Sequence, residues 1–399
     1  MFKELELWQK NLIGLSISQF LYRAATRSLL PYLPLFIKVL GKTSFGDTAI
    51  WSGWIYSSPF IISFFVTPLW GSYGDKYGRK RIALFAAFGF AAAHFLMGMA
   101  NSLPMLLVFA SLQEAFGGFY PASVSLVAAN TPKEKTSYAL GILQSSSAAG
   151  NVVGPVFGGL LAYFVGYQSV FFIVAFLVTI GGFVILFFVE EKEFVKETHE
   201  YFTWIKNLKY IRMNNFLISS VLFLFIYSVG VTLLRPTFAL FIDSLARSSH
   251  NSSAIAGTFF TIFGATAAIS SAWLGKITKK IDVTNLIVSM SVITAICFLL
   301  VPVFNSLFTI AVILAICGFV IGLILPSINT LISNNVHENR KAGVFGIGFS
   351  ASTLGNLIGG IVVGYSVSFL GLKIPFIFSG MLFLTIPLIR IVLIKNNSK

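Results

Sequence analysis

Charged side chains are scarce in this chain of 399 residues: only 11% of them are Asp, Glu, Lys or Arg, and only 14 are acidic. An ordinary globular domain carries roughly 25% charged residues, so this chain has too few charges to cover a surface in water. Hydrophobic residues make up 56%, and the mean hydropathy is +0.85. In a bilayer the outer surface can be as apolar as the core. The composition therefore excludes a water-soluble globular protein and predicts a membrane protein.

Cysteine and histidine are also rare, with 2 and 4 residues. Cys297 and Cys317 both lie inside apolar runs, so we expect them to be small packing residues and not metal ligands or a disulfide. The histidines form no cluster with metal-ligand spacing, and no nucleophile–base pair stands out. We therefore expect no metal, no cofactor and no enzymatic activity.

The net charge of +14 does not indicate nucleic-acid binding, because the basic residues sit in short clusters between apolar runs and not on one face of a soluble domain. We expect the lipid bilayer, and no nucleic acid, as the surrounding partner.

Continuous apolar runs of about 20 residues, the length that crosses a bilayer as a helix, recur twelve times. They do not alternate in polarity, which argues against membrane-spanning strands. The sequence therefore predicts an all-α membrane protein with twelve transmembrane helices. The predicted spans are 11–37, 50–70, 82–100, 103–129, 137–164, 170–189, 216–241, 253–273, 284–303, 307–334, 341–369 and 374–394.

Basic residues predict the orientation of these spans, because Lys and Arg concentrate in cytoplasmic segments. With both termini in the cytoplasm, 20 of the 28 Lys and Arg residues fall on the inside, 4 on the outside and 4 within spans. The longest polar stretch, residues 190–215, then becomes a cytoplasmic linker, in part an interfacial amphipathic helix.

The two halves of the chain repeat each other. At a shift of 205, Gly117 matches Gly322, Pro121 matches Pro326, Asn130 matches Asn335, Gly150 matches Gly355, Asn151 matches Asn356 and Gly154 matches Gly359. In the earlier helices the shift is 204, as for Gly53 and Gly257. We expect a duplication into six-helix bundles at 1–189 and 216–399, joined by the linker 190–215. Parallel repeats of this kind place a site near the bilayer midplane between the halves.

A glycine-rich basic loop follows the second span. It reads Gly-Ser-Tyr-Gly-Asp-Lys-Tyr-Gly-Arg-Lys-Arg from residue 71 to residue 81. Gly71 and Gly74 permit close helix approach and Gly78 a tight turn, while Asp75 and Arg79 supply charges of opposite sign. This loop resembles the signature of the major facilitator superfamily.

The fifth span carries a second motif, from Gly150 through Gly154 and Pro155 to Gly158 and Gly159. Small residues at every fourth position allow tight helix packing, and Pro155 is expected to bend the span. The motif is similar to the one that marks the drug:proton antiporters of that superfamily.

The resemblance implies an alternating-access carrier in a bacterial inner membrane, with a small-molecule substrate and protons as its partners. It implies that helices 1, 4, 7 and 10 line a central cavity. In the family, the aspartate matching Asp75 latches helix 11 in the outward-facing state, and the base matching Arg79 joins that network. We further expect a monomer.

The chain departs from the family pattern in three places. The fourth span lacks the expected arginine, its cytoplasmic end carries Asn130 where an acid is common, and the second copy of the loop signature has decayed at 275–280. Proton coupling is therefore expected to use other residues than usual.

Glu114 is the only acid deep within a predicted span, and an intramembrane acid indicates function. At 1.5 Å per residue, Arg23 lies ~18 Å from the inner end of its span and Glu114 ~16 Å from the outer end of its own. Both then lie near the midplane, and Arg27 follows Arg23 by one turn. We expect Glu114 and Arg23 to carry proton coupling; the alternative is a static ion pair.

Arg27, Gln113, Phe116, Tyr120 and Tyr227 are the expected cavity residues. Aromatic walls favour lipophilic ligands, cations included, while the two arginines would accept an anion. The sequence therefore predicts a proton-coupled exporter of small lipophilic compounds. The alternative is a dedicated exporter of one endogenous metabolite, such as a siderophore. A sugar or nutrient symporter is disfavoured by the motif of the fifth span.

Overall fold

The computed structural model of the chain describes residues 5–191, 204–246, 251–337 and 340–393. Within these ranges, the side chains at positions 68, 69, 71, 72, 75, 204–206, 342 and 393 lie outside the description.

The described chain is helical throughout. Its helices are α1 (Leu7–Ser28), α2 (Leu33–Gly41), α3 (Phe45–Tyr77), α4 (Arg79–Gly98), α5 (Leu103–Glu114), α6 (Phe119–Asn130), α7 (Thr136–Val165), α8 (Tyr167–Phe188), α9 (Trp204–Arg212), α10 (Asn215–Leu245), α11 (Ser252–Ile277), α12 (Val283–Leu300), α13 (Leu307–Asn334), α14 (Lys341–Leu370) and α15 (Ile374–Leu393).

Eleven helical segments in the described part of the chain are long and apolar enough to cross a membrane, with α5 and α6 counted as one segment. Helix α1 is not among them. It carries Lys10, Arg23 and Arg27, yet it packs in the same bundle against α6, α7 and α8. With α1 included, the predicted all-α fold of twelve spans is confirmed.

The predicted span 11–37 is not one continuous helix. Helix α1 ends at Ser28 and α2 begins at Leu33. Pro31 lacks an N–H and its ring hinders continuation, and Pro34 repeats the effect three residues later. The matching proline of the second half, Pro236, stands alone and lies inside a continuous α10. The single proline Pro236 is therefore tolerated within a helix, whereas the pair Pro31 and Pro34 interrupts one.

Part of the predicted linker 190–215 is helical. Helix α9 packs on α10 and α14. Asn207 is buried against Gly343, and the Arg340 guanidinium lies 4.7 Å from the centre of the Tyr210 ring. Residues 192–203 of the linker lie outside the described residues.

The chain divides into two compact units. Unit 1 comprises Met1–Lys42, Ser58–Thr198 and Ser249–Thr261, and unit 2 comprises Thr43–Ser57, His199–Ser248 and Ile262–Lys399. The first part of α3 thus belongs to unit 2, and the first part of α11 belongs to unit 1.

In unit 1, α1 and α7 approach until their backbones touch. A Cβ atom added at Gly150 would lie 2.6 Å from the Phe20 carbonyl oxygen, and one added at Gly154 would lie 2.6 Å from that of Ala24. Gly158 faces Ser28 in the same way, even more closely. Small residues at every fourth position allow this spacing, so Gly150, Gly154 and Gly158 of the fifth-span motif form the contact face with α1.

In unit 2 the same kind of contact forms between α10 and α14. A Cβ atom at Gly355 would lie 2.7 Å from the Phe225 carbonyl oxygen, and one at Gly359 would lie 2.8 Å from that of Val229. These residues follow those of the α1–α7 contact by 205 positions. The sequence repeat is therefore a repeat of one packing contact.

The first part of α11 packs on α7 where Pro155 interrupts the hydrogen-bond ladder. The Thr261 hydroxyl accepts a hydrogen bond from the Val156 N–H at 3.1 Å and donates one to the Val152 carbonyl at 3.0 Å. An inserted side chain is a recognised cause of helix bending. Thr261 thus satisfies the backbone beside Pro155.

Replacing Gly154 tests the α1–α7 contact. Gly154→Ala places a methyl group against the α1 backbone, which cannot rotate away, so the free energy of unfolding is expected to fall by about 1–3 kcal/mol. Gly141→Ala on the same helix is the control, since nothing lies within 4 Å of its added Cβ. Thermal unfolding in detergent measures both; equal midpoints would contradict the contact.

Thr261→Val keeps the side-chain shape and removes the hydroxyl. The Val156 N–H then loses its partner, at a cost of about 1–3 kcal/mol in stability. Thr261→Ser should restore it. Thr258→Val is the control, because the exposed Thr258 hydroxyl bonds only within its own helix, to Ala254. Thermal unfolding midpoints that fall alike for both valine variants would show that Thr261 has no special role.

Candidate functional site

Glu114 lies at a break in the fourth span, which was predicted as continuous over 103–129. Helix α5 ends at Glu114 and α6 begins at Phe119. Between them the chain tightens, and the Gly117 N–H bonds to the Glu114 carbonyl at 3.0 Å. Pro121 lacks the N–H that a continuous helix needs, and Gly117 and Gly118 weaken the preceding turn. Interrupted helices inside membranes occur where the backbone is buried in protein or lines a cavity.

The carboxyl group of Glu114 is partly buried and has two polar neighbours in unit 1. The Ser63 hydroxyl hydrogen-bonds to it, and Arg23 is close enough for its charge to act on it. A Cβ atom added at Gly117 would lie 3.2 Å from Oε1 of Glu114. The glycine therefore leaves room for the carboxyl group beside the break.

Arg23 connects α1 to α7 and α6. Its Nε donates to Oγ of Ser147 at 3.1 Å, and its guanidinium lies 4.9 Å from the centre of the Tyr120 ring. The Tyr120 hydroxyl donates to Oε1 of Gln144 at 2.6 Å. Gln144 is exposed, and Arg23 and Tyr120 are half-buried. Polar groups at this depth face the protein interior or water more readily than lipid, so they form an accessible polar wall.

Arg27 repeats the arrangement one turn further along α1. Its Nε donates to Oδ1 of Asn151 at 3.0 Å. At the matching positions of unit 2, the Thr232 hydroxyl donates to Oδ1 of Asn356 at 2.6 Å. The two units thus share the helix contact and differ in charge, because unit 2 has a threonine where unit 1 has Arg27.

Sequence reasoning missed several polar neighbours of these charges. Gln19 lies one turn before Arg23 and is fully buried, and its Nε2 donates to Ser147 at 3.4 Å. Among the residues that the structure describes, its Oε1 has no hydrogen-bond partner. The spacing of Gln19, Arg23 and Arg27 by four residues was the signal available. No sequence signal pointed to Ser63, Gln144 or Ser147, because isolated polar residues are common in spans of this composition.

The other predicted cavity residues are placed differently. Gln113 is buried on α5. Phe116 packs against Gly89 and against Phe85, with ring centres 5.3 Å apart. Tyr227 lies in unit 2, where its ring packs edge-on against Phe383 at 6.4 Å.

Two charged groups of unit 2 lie on α10. Arg235 acts electrostatically on Tyr56 and Tyr227. The predicted seventh span ended at residue 241, but α10 continues to Leu245 and includes Asp243, which is only 8% exposed. The seventh span therefore ends four residues later than predicted, and Asp243 is buried in its last turn.

The loop signature lies at the junction of α3 and α4. Gly71, Gly74 and Asp75 are on α3, and the side chain of Asp75 lies outside the described residues. Gly78 has a φ of 97°, a left-handed value that favours glycine. Arg79 donates from Nη1 to the Ser125 carbonyl at 3.2 Å.

Comparison with known proteins gives one family. A model described as the Major Facilitator Superfamily matches residues 15–347 and, in a second match, 233–399. A relative from Yersinia enterocolitica, Multidrug resistance protein MdtG, is 29% identical over 90% of this chain and 87% of its own. MdtG of Escherichia coli is 29% identical over 88% and 86%.

Solved structures of transporters share the fold. A bacterial homolog of the human lysosomal transporter Spinster, inward-facing and occupied, matches with a TM-score of 0.84 at 15% identity over 98% of both chains. The nucleoside transporter NupG matches with 0.82 at 14% identity, over 96% of this chain and 99% of its own. With most of its length matched by the family model, the chain belongs to the major facilitator superfamily and is a multi-pass membrane transporter, not an enzyme.

Proposed function

We propose that the chain exports small lipophilic compounds in exchange for protons. The observation that carries the proposal is the group of Glu114, Ser63 and Arg23 at an interrupted helix in unit 1. A carboxyl group in a membrane interior is retained for function, and one beside the positive charge of Arg23 can exchange a proton as substrate binds. The relatives named for multidrug resistance support the same activity.

In this proposal the polar wall of Arg23, Tyr120 and Gln144 faces the substrate, and so does Arg27. Tyr120 offers an aromatic surface for lipophilic compounds, and Arg27 offers a positive charge for acidic ones. We assign Gln113 and Phe116 to the substrate-binding residues of unit 1, and Tyr227 to those of unit 2. Alternating access then proceeds by motion of the halves 1–189 and 216–399 about the linker 190–215, with Asp75 as a latch of the gate.

The setting proposed for this activity is a bacterial inner membrane with both termini in the cytoplasm and the carrier as a monomer. The excess of Lys and Arg in the segments on that side supports the orientation.

A second candidate function is export of one endogenous anionic metabolite, such as a siderophore. Arg27 favours it, since its half-buried guanidinium, which donates to Oδ1 of Asn151 at 3.0 Å, carries a positive charge with which an acidic ligand can form a charge-assisted hydrogen bond.

Glu114→Gln tests proton coupling. The amide cannot release a proton, so gradient-driven efflux from proteoliposomes should fall to the level of protein-free liposomes, while substrate exchange without a gradient persists. Asp243→Asn, which changes a buried acid in the last turn of α10, serves as the control and should keep its efflux. Proton-driven transport by Glu114→Gln at the wild-type rate, or its loss in Asp243→Asn alone, would show that Glu114 is not the carrier.

The two arginines are expected to divide their roles. Arg27→Ala should weaken transport of acidic compounds by about tenfold or more, since a hydrogen bond to a charged group contributes roughly 1.5–3 kcal/mol, and should spare cationic compounds. Arg23→Ala should reproduce the coupling defect of Glu114→Gln for both. Transport of matched anionic and cationic substrates measures the difference; identical losses in both variants would leave only a structural charge cluster.

A further inference from the structure

Helix α4 begins without a cap of its own. Its N-cap residue is Gly78, which has no side chain to accept a hydrogen bond from the first N–H groups. At the matching turn of the second half, the N-cap of α12 is Asp282, whose carboxylate accepts from the Asn285 N–H at 3.0 Å. The repeat therefore has a local cap in unit 2, and the cap in unit 1 has to come from elsewhere.

Glu191 supplies that cap from the residues that follow α8. Its Oε1 accepts from the Arg79 N–H at 2.8 Å, and its Oε2 accepts from the Lys80 N–H at 3.1 Å. Both carboxylate oxygens are used, and a negative charge is favourable at a helix N-terminus. A Cβ atom at Gly78 would lie 3.0 Å from Oε2. Glycine is therefore favoured at position 78 for two reasons: the φ value is left-handed, and the Glu191 carboxylate approaches closely.

The backbone that carries Glu191 is itself fixed. The buried Asn11 side chain of α1 pairs with the peptide groups of Glu190 in both directions, accepting from its N–H at 2.8 Å and donating to its carbonyl at 2.7 Å. Lys80 donates from Nζ to the Leu186 carbonyl at 3.0 Å. Helices α1, α4 and α8 are therefore tied together where the loop signature begins α4.

We propose that Glu191 is a positioning residue for transport, which holds the loop between α3 and α4 in its working geometry. The inference rests on the proposed export function. Glu191 is also at the start of the stretch 190–215 that connects the two sequence halves.

Three variants in the full chain test the proposal. Glu191→Ala removes both carboxylate acceptors, and Glu191→Gln keeps one acceptor oxygen. Glu190→Ala is the control, because it removes a neighbouring charge on an exposed side chain. Hydrogen exchange in the peptide that covers residues 78–82 reports the cap. It should speed up by about fivefold or more in Glu191→Ala, by less in Glu191→Gln, and not in Glu190→Ala.

Transport of the fluorescent lipophilic cation ethidium by reconstituted protein reports the positioning role. Glu191→Ala should lower the maximal rate several-fold at an unchanged KM, Glu191→Gln should recover part of it, and Glu190→Ala should match the wild type. Unchanged exchange at 78–82 would overturn the cap. An unchanged maximal rate, a raised KM or equal defects in Glu190→Ala would overturn the positioning role.

The experiments can refute the proposed export function and the proposed cap independently of each other. Wild-type protein that moves ethidium without proton exchange would refute the export proposal. In that case the hydrogen exchange of the same three variants still decides whether Glu191 caps α4, and their downhill ethidium flux decides whether the cap positions the loop.

Discussion

The structure depends on the backbone contact between α1 and α7, which only glycine permits. Gly150 and Gly154 leave no room for a Cβ atom against α1. The contact fixes the rotation and the register of both helices, because a shift of one residue would drive a side chain into a backbone. That register brings Arg23 to Ser147 and Arg27 to Asn151, so the position of the charges follows from the packing.

The same contact recurs between α10 and α14 without the charges. Ser228 and Thr232 pack there as Arg23 and Arg27 do in unit 1. Duplication has thus preserved the packing contact in both halves, whereas the two arginines at this contact occur only in the first. In the export function that we propose, the half with the arginines binds the proton, and both halves share the packing contact.

The spans and the repeat were predictable because they depend on composition and spacing. The helix break at Glu114 was not, since Pro121 and its match Pro326 look alike in the sequence and α13 is continuous. The two sequences differ three residues before the proline, where Gly118 is matched by Leu323. The groups that satisfy the backbone beside Pro155 and after Gly78 were also hidden, because Thr261 and Glu191 lie more than 100 residues from the N–H groups of Val156 and Arg79 to which they bond.

The central claim, exchange of substrate for protons, is tested most directly with the wild-type protein. Liposomes that contain the carrier are loaded with a lipophilic compound at equal internal and external pH, and the external pH is followed as the compound leaves. Export coupled to protons predicts that the medium becomes more alkaline, in proportion to the compound released and only in the presence of the carrier. Carrier-dependent release with no change in external pH would contradict the account.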